Sequence, residues 1–592
     1  MLRVRASKSR DRMGSDTARA DRIAGIVVVG FERYFSEFRA LTLHARLHFE
    51  EQDWRGAQRD WLARLDLYGR VVADTLAALR AASRGAALTR PLWAHVKTAC
   101  AERICSRHGA ELAETFFNSV TRRVFTIVGV EPDVEFVDIR AAACPVGPAA
   151  PVTRTFVRDG SAEALVRQAL ASYWFAPGYE DLARDAALVA QSVEREAPGV
   201  DSIEMAVPVF FRNKGAYLVG RLRRRHATVP LVIALLNPRG RVVVDAVLTT
   251  EDEASIVFSF TRSYFFVEAP CPGELVRFLA TIMPRKPLAE LYTAIGFNKH
   301  GKTALYRSLR QHLHASNDRF EFARGARGMV MIVFAMPSYD VIFKVLRDRF
   351  AQPKTCTRRD VMEKYQLVFK HDRAGRLIDA QEFEYLRFDR DRFAPELLSE
   401  LLSEAAGTVS LEGDSLVFRH LYTERRVTPL DVYLAEAGPD AARDAVVDYG
   451  QALRDLAATN IFPGDLLLKN FGVTRHHRVV FYDYDELTFL TDCNFRTLPV
   501  AATDDEELAG EPWYYVGDRD IFPQEFLPFL ALSPNLREVF LSAHRDLLEP
   551  GFWQAMQQEQ RAARVVDIFP YSADRRLVST KEDEACVSAP PR

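Results

Sequence analysis

The sequence predicts an α+β chain with a helix-rich N-terminal part followed by a mixed C-terminal part. Three observations predict it. Phe31, Tyr34, Phe35 and Phe38 fall at i, i+3, i+4 and i+7, one buried face of a helix. Between Ala206 and Ser259 the pattern changes to short β-type runs, and from about Arg319 a strand, a glycine loop and a second strand open a new unit. At 592 residues the chain is also too long for one core, so two to four domains are expected.

Taken in order, residues 1–22 are rich in Arg but carry Asp11, Asp16 and Asp21. A transit peptide should be poor in acids, so a disordered basic extension is expected there. Residues 23 to about 130 read as helix, with Trp61, Leu62, Leu65 and Leu67 continuing the apolar theme. Pro145, Gly147, Pro148 and Pro151 mark a loop. Three strand-like runs follow, Ala206–Phe211, Thr228–Ala234 and Arg241–Val247, then a helical piece from Pro287 to Ile295. Beyond the strand–loop–strand unit, Asp440–Thr459 is a good helix candidate, and the polar tail 571–592 is expected to be disordered. The domain reading is therefore 1–22, 23–318, 319–570 and 571–592.

With 78 basic and 80 acidic residues the net charge is -2, which argues for neither nucleic acid nor membrane as a partner. The longest early apolar run, Ile23–Phe31, is about half a membrane span. Seven scattered cysteines without a C-x-x-C pair suggest no disulfide framework and no zinc site, and a reducing cytoplasm fits best.

Two stretches compete as phosphate loops. Gly296-Phe-Asn-Lys-His-Gly301-Lys302-Thr303 matches G-x-x-x-x-G-K-[ST] letter for letter. A phosphate loop of that kind needs a strand to deliver it to a helix N-terminus. The residues before Gly296 have helical spacing, so a basic turn starting the next helix is favoured. The second stretch, Ala323-Arg324-Gly325-Ala326-Arg327-Gly328-Met329, sits between Phe320–Phe322 and a strongly β-forming run to Phe334. Small residues at such a hairpin tip let backbone amides approach phosphate oxygens.

Other residues decide between them. Lys344 follows the glycine stretch inside an apolar strand pattern, where an ammonium needs a partner. Asp465 and Asn470 form D-x-x-x-x-N much further along, and the apolar run from Val479 ends in Asp483 soon after that loop. Both intervals leave room for the two lobes of a kinase-like domain. Glycine hairpin, strand Lys, D-x-x-x-x-N and strand–Asp is the order of parts in a protein-kinase ATP site. In that reading Asp465 accepts the proton of a substrate hydroxyl, Asn470 and Asp483 hold magnesium, and Phe418–Arg426 is the hinge strand against adenine. The departures matter as much. Pro463-Gly464 replaces His-Arg, Tyr482-Asp483-Tyr484-Asp485 replaces Asp-Phe-Gly, and no Ala-Pro-Glu follows. Asp483 and Asp485 would share one face if the strand continued through them. Glu363, Glu382 and Glu384 compete as the glutamate that a neighbouring helix supplies to the lysine.

These motifs, together with Ala458–Asp465, Lys469–Arg475, Glu511-Pro-Trp-Tyr514 and Phe297–Thr303, resemble those of the isocitrate dehydrogenase kinase/phosphatase family from about residue 20 to 570. The resemblance implies a helix-rich N-terminal regulatory domain followed by a bilobal protein-kinase-like domain. It implies that one site phosphorylates a serine of isocitrate dehydrogenase with ATP and Mg2+, or Mn2+ in its place, and also removes that phosphate with ADP supporting the reaction. AMP and other metabolites are implied as allosteric effectors, isocitrate dehydrogenase as the protein substrate, and a homodimer is left open. By position, Ala323–Met329 and Lys344 carry over as ATP contacts, Asp465 as the base, and Asn470 and Asp483 as metal ligands. Asp379 carries over as the aspartate tied to phosphatase action, with Asp485 as its helper. Nothing in the residues themselves singles out Asp379. Two other readings stay open on the residues alone: a kinase-like phosphotransferase for a small molecule, and an ATP-binding regulator without catalysis.

Overall fold

In a computed structural model the chain is described over residues 2–577, apart from 84, 139–150, 226, 260–263, 353, 355, 372, 501–502 and 504–512; side chains are described from residue 16 onward and not at 369–371. It separates into two units, one of residues 1–259, 263–314 and 569–592, the other of 260–262 and 315–568.

The first unit opens with α1 (Leu2–Glu51), α2 (Trp54–Ser83), α3 (Arg90–Ile104) and α4 (Ala110–Val124). The aromatic face expected on α1 is buried: Tyr34 meets Tyr68 of α2 edge-on at 5.0 Å, and Phe31 reaches Phe116 of α4 at 6.1 Å. Leu62 departs from the expected pattern and faces solvent, because the buried face of α2 runs through Trp61, Arg64 and Tyr68. The expected extension 1–22 is a further correction. Helix α1 begins at Leu2, and within it Ala20 is buried, Arg19 donates to the Ala86 and Ala87 carbonyls, and Asp21 pairs with Arg103.

A six-stranded antiparallel sheet follows, ordered β1 (Thr153–Val157), β2 (Ser202–Ala206), β4 (Gly215–Arg224), β5 (Ala227–Leu236) and β6 (Val243–Leu248), with β3 (Phe210–Arg212) on β4. The expected single run Ala206–Phe211 is two strands, because Pro208 between them has no N–H for a ladder. Val219, Val232 and Ala234 face a core shared with α1–α4, whereas Leu218, Leu231 and Ile233 face α5 (Ala162–Ala171) and α6 (Leu182–Glu196). Burial on both faces explains why these strands read as continuous apolar runs without alternation. Helices α7 (Glu251–Val257), α8 (Pro272–Ile282), α9 (Leu288–Ala294) and α10 (Asn298–Ala315) complete the unit.

The tail corrects a second expectation of disorder. Tyr571 Oη donates to Asp245 Oδ2 at 2.7 Å, and Arg576 pairs with the same carboxylate at 3.0 Å. Asp245 is buried in β6, and a buried carboxylate without a cation would be costly, which holds the tail onto the sheet as far as Leu577. Residues 578–592, most of the Pro145–Pro151 loop and Glu511–Pro512 lie outside the described residues.

The second unit has two lobes. Its sheet runs β10 (Gln381–Asp389), β12 (Ser415–Arg425), β9 (Val341–Leu346), β8 (Met331–Ala335) and β7 (Glu321–Phe322), with β11 (Val409–Glu412) on β12. Phe320, Phe334, Phe343, Phe388, Phe393 and Phe418 form its aromatic core, Phe320 stacking on Phe393 at 4.6 Å. Helices α11 (Arg358–His371) and α12 (Pro395–Glu404) belong to this lobe. The other lobe is built on α13 (Leu430–Glu436) and α14 (Pro439–Ala457), with short pairings of β13 (Thr428–Pro429), β14 (Ile461–Phe462), β15 (Phe471–Val473) and β16 (Val479–Phe481). The arrangement is α+β throughout.

Candidate active site

Lys344 lies on β9 between Val333 of β8 and Tyr422 of β12 and is buried. Its Nζ pairs with Glu424 Oε2 at 2.7 Å and donates to the Tyr482 carbonyl at 2.9 Å. Glu424 stands just beyond Tyr422 on β12, at the next position of the same pleat, so it shares a face with the lysine and lies diagonal to it. Burial raises the Glu424 carboxyl above its ordinary range, and Lys344 opposes that rise. The lysine's carboxylate therefore comes from the strand expected to be the hinge. Of the three glutamates expected to compete for the role, Glu363 is exposed on α11 against Arg359 at 2.8 Å, Glu382 bonds His420 at 2.7 Å, and Glu384 is exposed. Helix α11 sends Tyr365 instead, its hydroxyl 3.4 Å from Glu424 Oε1.

The glycine hairpin forms as expected between β7 and β8. Arg324 reaches Glu436 of α13 at 2.5 Å, and Arg327 reaches Glu400 of α12 at 2.7 Å. Gly325 adopts φ +105°, a left-handed conformation that a side chain would strain, with Pro429 beside it.

Asp465 follows β14 in a loop ordered by its own side chain, whose Oδ1 accepts the Leu467 N–H at 3.0 Å. The Pro-Gly before it has a local cause. Gly464 sits at φ +82°, and a Cβ there would lie 2.5 Å from the Glu486 carbonyl oxygen. An arginine at this position would collide with the loop that follows Asp483. Asn470 closes the Asp465 loop in a short turn, and its carbonyl accepts the Tyr482 N–H at 3.1 Å. That bond sets the start of the Tyr482–Asp485 segment against the loop carrying Asp465.

Strand β16 ends at Phe481, so Asp483 and Asp485 share no regular strand face. Tyr484 turns inward between them, bonding the Ile378 carbonyl at 2.7 Å, and the two carboxylates interact directly. Burial first, then Asp485, pushes the Asp483 carboxyl up to about 7, while Lys344 and Lys354 pull the other way. Lys354, which sequence reasoning missed, pairs with Asp485 Oδ2 at 2.9 Å and with Glu486. A desolvated carboxylate pair beside a buried asparagine is an all-oxygen donor set, which suits a hard cation such as Mg2+ or Mn2+.

Asp379 arrives by a separate route. Leu377 bridges Phe481 in parallel, the Phe481 N–H bonds the Arg376 carbonyl at 2.7 Å, and the Ile378 N–H bonds the Phe481 carbonyl at 3.2 Å. Equally far along from that bridge on the two segments stand Asp379 and Asp483. Gln381 Nε2 donates to Asp379 Oδ2 at 2.5 Å, and the Asp379 charge reaches Glu424. Arg376 anchors the strap: fully buried, it bonds Asp448 at 2.8 Å and Asp455 at 2.7 Å on α14, and the Val479 carbonyl at 2.9 Å. Asp448 and Asp455, two helical turns apart on an otherwise apolar face of α14, were the signal that could have found it.

The letter-perfect phosphate-loop match belongs to the first unit. From Asn298 it is already helix, with Gly301 inside α10. Phe297 stacks on Phe38 at 4.8 Å, and His300 is buried against Thr115 Oγ1 at 2.8 Å.

Comparison with known proteins agrees with this division. The family model described as the isocitrate dehydrogenase kinase/phosphatase (AceK) regulatory domain matches residues 24–317, and that described as its kinase domain matches 318–573. The chain is 52% identical over 561 residues to the isocitrate dehydrogenase kinase/phosphatase of Anaeromyxobacter sp. (strain Fw109-5), covering 94% of this chain and 97% of that protein. It is 51% identical over 571 residues to the protein of the same name from Anaeromyxobacter dehalogenans (strain 2CP-C), with the same coverage of 94% and 97%. A two-lobed unit carrying Lys344, Asp465, Asn470 and Asp483 in kinase order, joined to a matching first unit, means that the chain belongs to the isocitrate dehydrogenase kinase/phosphatase family.

Proposed function

We propose that the chain phosphorylates a serine of isocitrate dehydrogenase with ATP and removes the same phosphate at the same site, controlling flux between the tricarboxylic acid cycle and the glyoxylate bypass. The observation that carries this is the convergence of Lys344, the Asp465–Asn470 loop and the Asp483–Asp485 pair in a chain related over 94% of its length to enzymes of that name.

In the forward direction Asp465 takes the proton of the serine hydroxyl as its oxygen bonds to the γ-phosphorus and the bond to ADP breaks. Lys344, held by Glu424, stands ready for the α- and β-phosphates, and Ala323–Met329 would close over them. Asn470 and Asp483 would hold a divalent cation, Mg2+ or Mn2+. The cation, when bound, would supply neutralisation of the phosphoryl oxygens, and the nucleotide the phosphoryl group that is transferred. In the reverse direction water replaces the serine as acceptor. Asp379 takes a proton from water as oxygen bonds to phosphorus, and the departing serine oxygen takes a proton from Asp465. Asp485, tied to Lys354, assists by keeping Asp483 oriented. ADP supports this direction, and AMP shifts the balance from the regulatory unit. On this reading the enzyme works in the cytoplasm.

The test uses purified chain, labelled ATP, magnesium and isocitrate dehydrogenase. Label should enter the dehydrogenase and leave again when ADP or AMP is added. Label that reaches only a small-molecule acceptor, or that never leaves the dehydrogenase, would overturn the reading.

A further inference from the structure

We infer that the α1–α2 hairpin of the first unit carries a transition-metal site, of the kind that takes Zn2+, formed by His44, His48 and Asp60. His44 and His48 stand one turn apart on α1, so both imidazoles leave the same face. Asp60 comes from the second turn of α2. Its Oδ2 lies 2.9 Å from His44 Nδ1 and 2.9 Å from His48 Nε2, so two nitrogens from one helix converge on a single oxygen of the next. All three ligand atoms lie within 4.8 Å of one another. A tetrahedral zinc with bonds of about 2.0–2.2 Å keeps neighbouring ligand atoms about 3.3 Å apart. Opening the two Asp60 contacts by a few tenths of an ångström would bring them to that spacing.

The surroundings are those of a metal site and exceed those of a plain surface ion pair. The other nitrogen of His48, Nδ1, faces Asp53 Oδ2 at 3.3 Å, a contact that does not close as a hydrogen bond. A carboxylate at that place is the usual outer partner of a zinc-bound imidazole. Asp53 is placed firmly. Its Oδ1 caps α2 by accepting the Gly56 N–H at 2.8 Å, and a Cβ on Gly56 would lie 2.0 Å from Asp53 Oδ2 and 2.5 Å from the His48 ring. The bare backbone at Gly56 is what lets Asp53 reach His48.

Three protein ligands leave a fourth position, on the side of His44, whose side chain is 55% exposed, and water fills it. Imidazole and carboxylate ligands favour zinc, with copper and nickel as competitors in vitro. Bound there, the metal ties the last turns of α1 to the first turns of α2 across the left-handed Gln52 turn. Its role is to stiffen that hairpin.

The test uses tag-free full-length chain stripped of metal and titrated with Co2+ in millimolar Mg2+, which keeps the carboxylates of the second unit filled. One equivalent should bind with the visible bands of tetrahedral cobalt, and one equivalent of Zn2+ should displace it. His48→Ala and Asp60→Asn should each weaken binding at least about 100-fold, and Asp53→Asn about 10- to 100-fold. Zn2+ should raise the unfolding temperature of the parent protein and leave that of His44→Ala/His48→Ala unchanged. Both histidines lie near the surface, so helical circular dichroism should be retained in the variants. Absence of a saturable equivalent, octahedral cobalt spectra, or equal binding by parent and double variant would overturn the site.

Discussion

The two glycine-bearing basic stretches, 296–303 and 323–329, are near neighbours in sequence, yet they meet opposite fates. The first satisfies a nucleotide-binding pattern in every letter and is a turn running into a packed helix, its histidine buried and its phenylalanine stacked. The second satisfies the usual kinase pattern poorly and forms the hairpin beside Lys344's strand. A phosphate loop is defined by what delivers it and by which charges stand opposite. Letters record neither.

The largest expected effect tests that lesson directly. Lys344→Met should lower both kinase and phosphatase rates by about 1,000-fold or more, because the charge proposed for the phosphates would be gone and could not be replaced by solvent in a buried site. Lys302→Ala, at the lysine of the letter-perfect match, should leave kcat and the KM for ATP within about twofold. Initial rates of label transfer to and from isocitrate dehydrogenase measure both. A large loss at Lys302 with normal folding would erase the contrast.

Asp379→Ala should come next. If Asp379 takes the proton of water as proposed, its removal is worth about 100- to 10,000-fold in phosphatase rate, while serine phosphorylation should fall by less than about 10-fold. Equal losses in the two directions would make Asp379 a structural residue of the strap held by Arg376.

A smaller pair of changes separates binding from packing. Gly325→Ala forces a side chain into φ +105° at the hairpin tip and should raise the KM for ATP about 5- to 10-fold with little change in melting temperature. Gly301→Ala places a Cβ 2.6 Å from the Ala289 carbonyl and 2.2 Å from Thr293 Oγ1 inside packed helices. It should destabilise the first unit by about 1–3 kcal/mol and leave the KM for ATP unchanged. Thermal unfolding and ATP saturation curves read the two apart.

Much of this was legible in the residues, and the misses share a cause. Lys344, Asp465, Asn470 and Asp483 could be found because each sits in a local pattern, a strand or a short loop, whose spacing survives in the sequence. Glu424, Lys354 and Arg376 could not be assigned. Their partners Lys344, Asp485 and Asp448 lie far off along the chain, and only the pairing of strands and lobes brings them together. The start of the tail, 571–577, reads as disordered for the same reason. Its polarity was visible, but the buried carboxylate of Asp245 that captures Tyr571 and Arg576 was not. Helix α1 starts earlier than its residues suggest, because charge near a chain end looks alike whether it is solvated or paired with a neighbouring helix.

The smallest effect lies in how each stretch or site responds to pH. His300, in the letter-perfect match, is pushed down to about 3, by burial first and by Arg307 second. Between that value and its ordinary range the unfolded chain binds the extra proton, so this group makes the protein more stable as pH rises. Asp483 is pushed up to about 7 by burial and by Asp485, so from its ordinary range to pH 7 the folded chain binds the extra proton. That group makes the metal-free protein less stable as pH rises, the opposite slope. Asp483→Asn should therefore stabilise metal-free protein by about 2 kcal/mol more at pH 7.5 than at pH 5. Magnesium should raise the melting temperature of the parent and leave the variant unchanged. Melting curves in chelator at the two pH values decide it: a gain that does not grow with pH would mean that Asp483 is held by its neighbours, as His300 is, and that the site is satisfied without a cation.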